Sequence, residues 1–291
     1  MFIDIHAHAW RYALPFNADC EVNLGTPPTP EQIIGRYDEV GIDRGVLLPM
    51  VNPEIYLTQS NEDILDFFKA YPERFIPFCN IDPRTMKNTS DAPLGDWLRY
   101  YRDQGCKGIG EVMPFLPFRH PQVQNLFRHV EDVGFPLIFD LAGDVYGLYD
   151  DVGLPQLEYS LQKFPKLKFF GHGQAFWSEI GQLETVFDRT GYPSYPIKEE
   201  GVVPKLLRKY EHLYGDLSAG SGFNALNRDR KYAIKFIHEF QDKLLFGTDI
   251  YTSEMPTPMV EFLNELKKCG DISEQVFNKV ARENAIRILN L

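Results

Sequence analysis

Short apolar runs alternate with amphipathic stretches along the whole chain. The first run, Phe2–Trp10, reads as a strand in which apolar and polar residues alternate at period two. That period puts Ile3, Ile5 and Ala7 on one face and Asp4, His6 and His8 on the other. Seven further strands are predicted at 44–50, 74–81, 107–112, 136–141, 167–172, 213–218 and 243–249. Helices are predicted between them, at 30–41, 60–71, 94–102, 121–133, 154–164, 203–212 and 225–240, and two more, 258–268 and 273–291, close the chain. Their ends carry ordinary signals. Thr29 precedes Pro30 as an N-cap, Ser60 is followed three residues later by Asp63, and Gly41, Gly134 and Pro165 stand at helix exits.

Strands alternating with helices at this spacing are βα units, which build a parallel sheet. Eight of them in 291 residues fit a closed (β/α)8 TIM barrel of the α/β class. An open doubly wound sheet is the competing arrangement, but no G-x-G-x-x-G follows the first strand. No linker or low-complexity stretch interrupts the series, so one domain over 1–291 is expected, with loop insertions near 11–28 and 174–201.

Composition narrows the class. With 44% hydrophobic and 24% charged residues the chain has the make-up of a soluble globular protein. Its net charge of -11, with no run of Lys or Arg, disfavours phosphate backbones and anionic lipid, so neither nucleic acid nor membrane is an expected partner. No apolar run reaches the roughly 18 residues of a membrane span. The N-terminus shows no signal-peptide pattern, and the four cysteines, Cys20, Cys79, Cys106 and Cys269, form no metal-binding or disulfide spacing. A cytoplasmic location is the expectation.

In a barrel of this kind chemistry sits at the C-terminal ends of the strands. There the sequence places His6 and His8, Glu111, Asp140, His172, Asp216 and Asp249, one group or pair per strand. Burying such groups unpaired costs several kcal/mol each, on the order of the desolvation of an ion. A divalent cation resolves that cost, and N/O donors suit a zinc-like ion. Each group also has a plainer reading. The histidines could be packed, Glu111 could pair with an Arg at the rim, His172 could be capped by a carbonyl, and Asp140 could serve the turn at Gly143-Asp144. Asp216 reads mainly as a helix cap or a bonding group within the barrel.

Four segments, Ile3-Asp-Ile-His-Ala-His8, Lys107-Gly-Ile-Gly-Glu111, Leu167-Lys-Phe-Phe-Gly-His172 and Leu244-Leu-Phe-Gly-Thr-Asp249, resemble those of the amidohydrolase superfamily, in its order and across almost the whole chain. The likeness is to the amidohydrolase-related branch, which includes aminocarboxymuconate semialdehyde decarboxylase and small-molecule lactonases. The resemblance implies that His6 and His8 are first-strand metal ligands and that Asp249 binds metal and takes a proton from the attacking water. His172 would be a second-metal ligand or an acid/base, and Glu111 a carboxylate ligand. The fifth strand, where the pattern often has a histidine, ends here in Asp140, which argues against a two-metal site. One divalent ion is therefore expected on His6, His8, Glu111 and Asp249, with zinc first and manganese or another divalent metal as alternatives. Asp140 would be a weaker ligand or stand behind the ligands, as would Asp4, expected on the lumen face.

The implied activity is hydrolysis of a small lactone, ester or amide by water activated at the ion, with Asp249 and His172 as catalytic groups. Non-oxidative decarboxylation of a small unsaturated or aromatic acid is the main rival. A non-catalytic binding barrel and a nuclease are more distant. A small-molecule substrate would meet the aromatic loops, where Trp10, Arg11, Tyr146 and Trp177 are candidate contacts, with Arg11 and Arg119 as candidate clamps for an acid. Exposed rings there also allow a homo-oligomer.

Overall fold

The computed structural model describes residues 1–12, 26–55, 58–142 and 147–291. The predicted insertion at 11–28 lies largely outside them, as does Tyr146. The chain begins with β1 (Phe2–Ala7), α1 (Pro30–Val40), β2 (Ile42–Leu47), α2 (Asn61–Ala70) and β3 (Phe75–Pro77). It continues through α3 (Gly95–Asp103), β4 (Ile109–Val112), β5 (Pro114–Pro117), α4 (Pro121–Val133), β6 (Leu137–Asp140), β7 (Gly147–Tyr149), α5 (Pro155–Lys163) and β8 (Phe169–His172). Then come α6 (Gln174–Ser178), α7 (Val202–Lys209), β9 (Leu213–Asp216), α8 (Ala219–Asn227), α9 (Arg230–Phe240), β10 (Leu244–Leu245) and α10 (Pro258–Cys269). The C-terminal segment is α11 (Glu274–Asn278), a π-helical turn (Lys279–Glu283) and α12 (Asn284–Leu289).

Eight strands pair in parallel, β1-β2-β3 in one run and β4-β6-β8-β9-β10 in the other. Backbone contacts join the two runs. Cys79 bridges in parallel to Ile109, and Ala7 to Ile250. At the second seam Asp249 N donates to His6 O at 2.7 Å, and His8 N to Ile250 O at 2.9 Å. The fold is the expected (β/α)8 barrel.

Two features of the sheet depart from the sequence reading. Strands β5 and β7 were not expected; they pair with one another, outside the eight-strand ring. The predicted helix 225–240 is broken at Arg228–Asp229, where the Asp229 side chain accepts from Tyr232 N and restarts the helix as α9. The predicted helix 273–291 is likewise divided by the π-helical turn.

Apolar residues form two layers. The larger lies between strands and helices and includes Phe2, Tyr37, Phe127, Phe139, Phe169 and Trp177. The smaller fills the lumen: Ile3, Ile5, Val46, Leu48, Ile76, Phe78, Ile138, Phe170, Tyr214 and Leu245 from the strands, floored by Ala285, Ile288 and Leu289 of α12. Ile3 and Ile5 thus face the lumen while Ala7 faces the helices. The period-two prediction put all three on one face. The β1–β2 register shifts between Asp4 and Ala7, and that irregularity ends the simple alternation. Among the described residues no helix is long and apolar enough to cross a membrane.

Candidate metal centre

The strand ends bring five ligand-type side chains together. His6 Nε2 lies 3.3 Å from His8 Nε2, and each is 3.4 Å from Asp249 Oδ1. Glu111 Oε2 is 3.5 Å from His6 Nε2 and 3.6 Å from His8 Nε2. On the other side His172 Nε2 is 3.6 Å from Glu111 Oε1 and 3.9 Å from Asp249 Oδ2. His6, His8, Glu111 and His172 are buried, and the Asp249 side chain is 15% exposed.

Each imidazole is turned by a partner on its far nitrogen. His6 Nδ1 donates to Asp216 Oδ2 at 2.7 Å. His8 Nδ1 faces Leu48 O at 3.0 Å and Gln59 Oε1 at 3.1 Å; Gln59 is oriented by its own Nε2 donating to Ala9 O. His172 Nδ1 lies 2.9 Å from Ser218 Oγ. With the Nδ1 atoms so held, the Nε2 lone pairs are left to converge on one point. Trp177 Nε1 donates to Asp216 O at 2.7 Å, and Asn80 Nδ2 to Glu111 O at 2.6 Å, so two of the carboxylate residues are tied through their backbone. Asp249 itself adopts φ 58°, a left-handed conformation that costs a non-glycine residue on the order of 1 kcal/mol or more. Gly173, after His172, has φ 100°, and a Cβ there would sit 2.2 Å from Asp140 Oδ1.

Charge is unbalanced in this cluster. Burial opposes a charged His6, but Asp249, Asp216 and Glu111 more than offset it and hold that imidazole well above its usual range. Burial likewise opposes His8, and Asp249 and Glu111 lift it to about 9. Burial pushes the Glu111 and Asp216 carboxyls up, yet His6 and its neighbours bring both well below the carboxylate range. Asp140 is pushed well up, first by burial and then by Glu111. Its Oδ1 is buried without a hydrogen-bond partner. Such a set attracts positive charge, either protons on imidazole or a cation.

The donors fit a divalent ion. Tetrahedral or octahedral ligands bonded at about 2.0–2.2 Å stand roughly 3–3.5 Å apart, and the distances from His6 and His8 to one another, to Asp249 and to Glu111 fall at or near that range. Two overlapping trios, His6–His8–Asp249 and His6–Glu111–His172, each bring three ligand atoms within 4.8 Å of one another.

Other expected site residues lie elsewhere. Asp4 does not face the lumen. Its Oδ2 accepts from Tyr37 of α1 at 2.8 Å, and its Oδ1 accepts from His6 N and Thr248 N, so it braces the backbone behind His6 and Asp249. Arg11 is held on the exposed side of α2 by Asp63 at 2.7 Å and Asp66 at 2.8 Å, because two carboxylates one turn apart outbid an apolar cavity for its charge. Arg119 is exposed and stacks over Tyr159. Trp177 is core, packed on Phe176 and Phe236 beneath the cluster. Trp10 does line the cavity above the metal ligands. Glu111 touches histidines there, and no Arg ion pair with it is seen among the described residues.

The sequence reading missed Ser218, Gln59 and Asn80 as supports and Tyr192 as a cavity wall. Ser218 follows Asp216 by two residues at a strand end and was legible in principle. Gln59 and Asn80 carried no signal, since amides in loops are ordinary.

A family model described as amidohydrolase matches residues 3–291. No curated protein matches the chain. Solved structures share the fold at low identity. One is a probable 2-pyrone-4,6-dicarboxylic acid hydrolase from Acinetobacter baumannii, 16% identical, TM-score 0.63, covering 100% of this chain and 99% of its own. Another is 2,6-dihydroxybenzoate decarboxylase from Rhizobium, 15% identical, TM-score 0.61, covering 99% and 98%. A third is 5-carboxyvanillate decarboxylase from Novosphingobium aromaticivorans, in complex with manganese and a nitrobenzoic acid, 17% identical, TM-score 0.58, covering 100% and 96%.

Proposed function

The chain belongs to the amidohydrolase family, and from that premise we propose that it is a metal-dependent hydrolase of a small lactone, ester or amide. The observation that carries the reading is the triangle of His6 Nε2, His8 Nε2 and Asp249 Oδ1, with sides of 3.3, 3.4 and 3.4 Å, at the base of a cavity of about 380 Å³. His6, His8, Glu111 and Asp249 would hold the ion, zinc or, as in the carboxyvanillate decarboxylase structure, manganese. When bound, such an ion supplies Lewis acidity and lowers the pKa of a coordinated water to about 7. Asp249 reaches toward the histidines with Oδ1 and toward His172 with Oδ2, so its carboxylate can orient the attacking water and receive its proton. His172 lines the cavity and presents Nε2, from which it can donate to the carbonyl oxygen or the leaving group. Ser218 fixes the tilt of that ring, and Asp216 keeps His6 in the tautomer whose Nε2 is free.

Decarboxylation is the second reading, supported by the decarboxylases among the solved structures of this fold and by His172, which lines the cavity and could deliver a proton to carbon as well as to a leaving group. The test is turnover of a panel of lactones, esters, amides and hydroxybenzoates by metal-loaded protein in ¹⁸O-labelled water. One labelled oxygen in the product, with activity lost on chelation, is the expected result. Carbon dioxide release with no label in the organic product would overturn hydrolysis in favour of the second reading, and no turnover by any class would overturn both.

A further inference from the structure

The walls of the cavity above the ligands are largely apolar, with Trp10, Met50, Ile55, Met113 and Met255 among them. Apart from the imidazoles of the ligand cluster, His8 and His172, its titratable lining is acidic: Glu54, Glu111, Asp140 and Asp249. No Lys or Arg lines it among the described residues, and the sequence at 13–25, 56–57 and 143–146 contains neither. Arg84 is in contact with the cavity residue Glu54, but four of its five guanidinium N–H groups are engaged by carboxylates. Nη1 and Nη2 donate to the Glu54 carboxylate at 2.6 and 2.8 Å, while Nε and Nη2 donate to Asp82 at 2.8 and 2.7 Å. Arg11 and Arg119 are occupied outside the cavity.

An anionic group on a substrate therefore finds positive charge only at the ligand cluster, from the ion and the imidazoles beside it. A second anionic group meets apolar wall and the Glu54 carboxylate, in surroundings that weaken solvent screening. We propose that this site selects small substrates bearing at most one anionic group, directed at the ligand cluster, and rejects diacids. Glu54 is the specificity-determining residue: together with Asp82 it outnumbers Arg84, so the trio keeps one net negative charge beside the cavity. The inference rests on the reading of the cluster as a metal site, and the experiment separates the two.

Metal-stripped protein is first titrated calorimetrically with zinc and with manganese. The loaded protein is then titrated with benzohydroxamic acid and with its 3-carboxy and 4-carboxy derivatives, which share one metal-directed group and differ by one carboxylate. The carboxylated probes should bind weaker by about tenfold or more. Glu54→Gln and, separately, Gln174→Arg, which adds a cation to the lining, should each raise affinity for a carboxylated probe relative to that for the parent probe. Equal or tighter binding of the carboxylated probes to the unaltered protein would overturn the proposal. So would weak binding in both variants, since shape and not charge would then exclude them, or failure of the parent probe to bind loaded protein. Failure to bind either metal would overturn the reading of the site itself, and the inference with it.

Discussion

The floor and the mouth of the same barrel lumen are built from the same strands and differ in almost everything else. Low in the lumen the inward side chains are Ile3, Ile5, Val46, Ile76, Ile138, Phe170 and Tyr214, sealed by Ile288 and Leu289. Two residues beyond Ile138, Phe170 and Tyr214 stand Asp140, His172 and Asp216, and beyond Ile5 come His6 and His8. The floor gains stability by excluding water from side chains that need no partner, about 1.5–3 kcal/mol for each large one fully buried. The mouth buries groups that each demand a partner, and it holds Asp249 in a left-handed backbone conformation besides. The contrast teaches that a single inward-facing row can change from supporting the fold to supporting chemistry within one strand repeat. Substitutions at the two ends should therefore have separable effects.

The largest expected effect is at the mouth. Asp249→Asn should lower turnover by about 10²–10⁴-fold, the usual scale for loss of a positioned acid/base, with the midpoint of unfolding of metal-free protein little changed. Steady-state kinetics beside chemical denaturation would check it, and a comparable loss of stability would erase the distinction between the two ends. Phe170→Ala should do the reverse. Opening a cavity in the sealed floor should cost about 3–5 kcal/mol of stability, while the protein that remains folded keeps its metal stoichiometry. Denaturant titration with metal analysis of the folded fraction reads both quantities.

Asp216→Asn is a sharper probe, because it leaves every ligand in place and alters the carboxylate behind His6 Nδ1 and His172 Nδ1. It should weaken metal affinity or activity by about 10–100-fold, and competition against a chelating dye would measure the change. An unchanged affinity would make Asp216 part of the packing alone.

The next prediction concerns pH. In the metal-free protein the His8 pKa lies at about 9, above its ordinary 6.5. Its protonation thus contributes stability that is fully present below about 6.5 and is lost as pH rises toward 9. Metal needs the same nitrogen free of its proton. The rise in melting temperature on adding metal should therefore grow between pH 6.5 and 9, and thermal scans with and without zinc would show it. A metal-induced shift that is flat or shrinks over that window would contradict proton–metal competition at this nitrogen.

The smallest expected effect is that of Trp177→Phe, which removes the bond from Nε1 to Asp216 O below the site. The cost should be about 1 kcal/mol in stability, with a few-fold loss of metal affinity, measured by the same two titrations.

Much of the barrel was legible from pattern alone. Seven of the eight ring strands stand within the predicted runs, β2 starts two residues before its own, and the resemblance of segments ending in His8, Glu111, His172 and Asp249 agrees with the family match over 3–291. Helix starts at Thr29 and Ser60 were legible because an N-cap is a local interaction. The break at Arg228–Asp229 was not read from the 3.6-residue pattern, because apolar spacing continues through it and only the cap at Asp229 divides it.

What the sequence by itself determined is therefore the fold class and the identity of the groups at the strand ends, since periodicity and residue type are properties of neighbouring positions. Direction and partnership were decided only in three dimensions. Asp4 alternates with the lumen-facing Ile3 and Ile5 and so meets Tyr37 of α1, and the register shift after it left His6 at the mouth. Asp63 and Asp66 drew Arg11 away from the cavity, and Trp177 sank beneath Asp216. In each case the choice was made by a partner tens of residues distant. A buried or charged group goes where its strongest available partner stands, and no local pattern records where that partner will be.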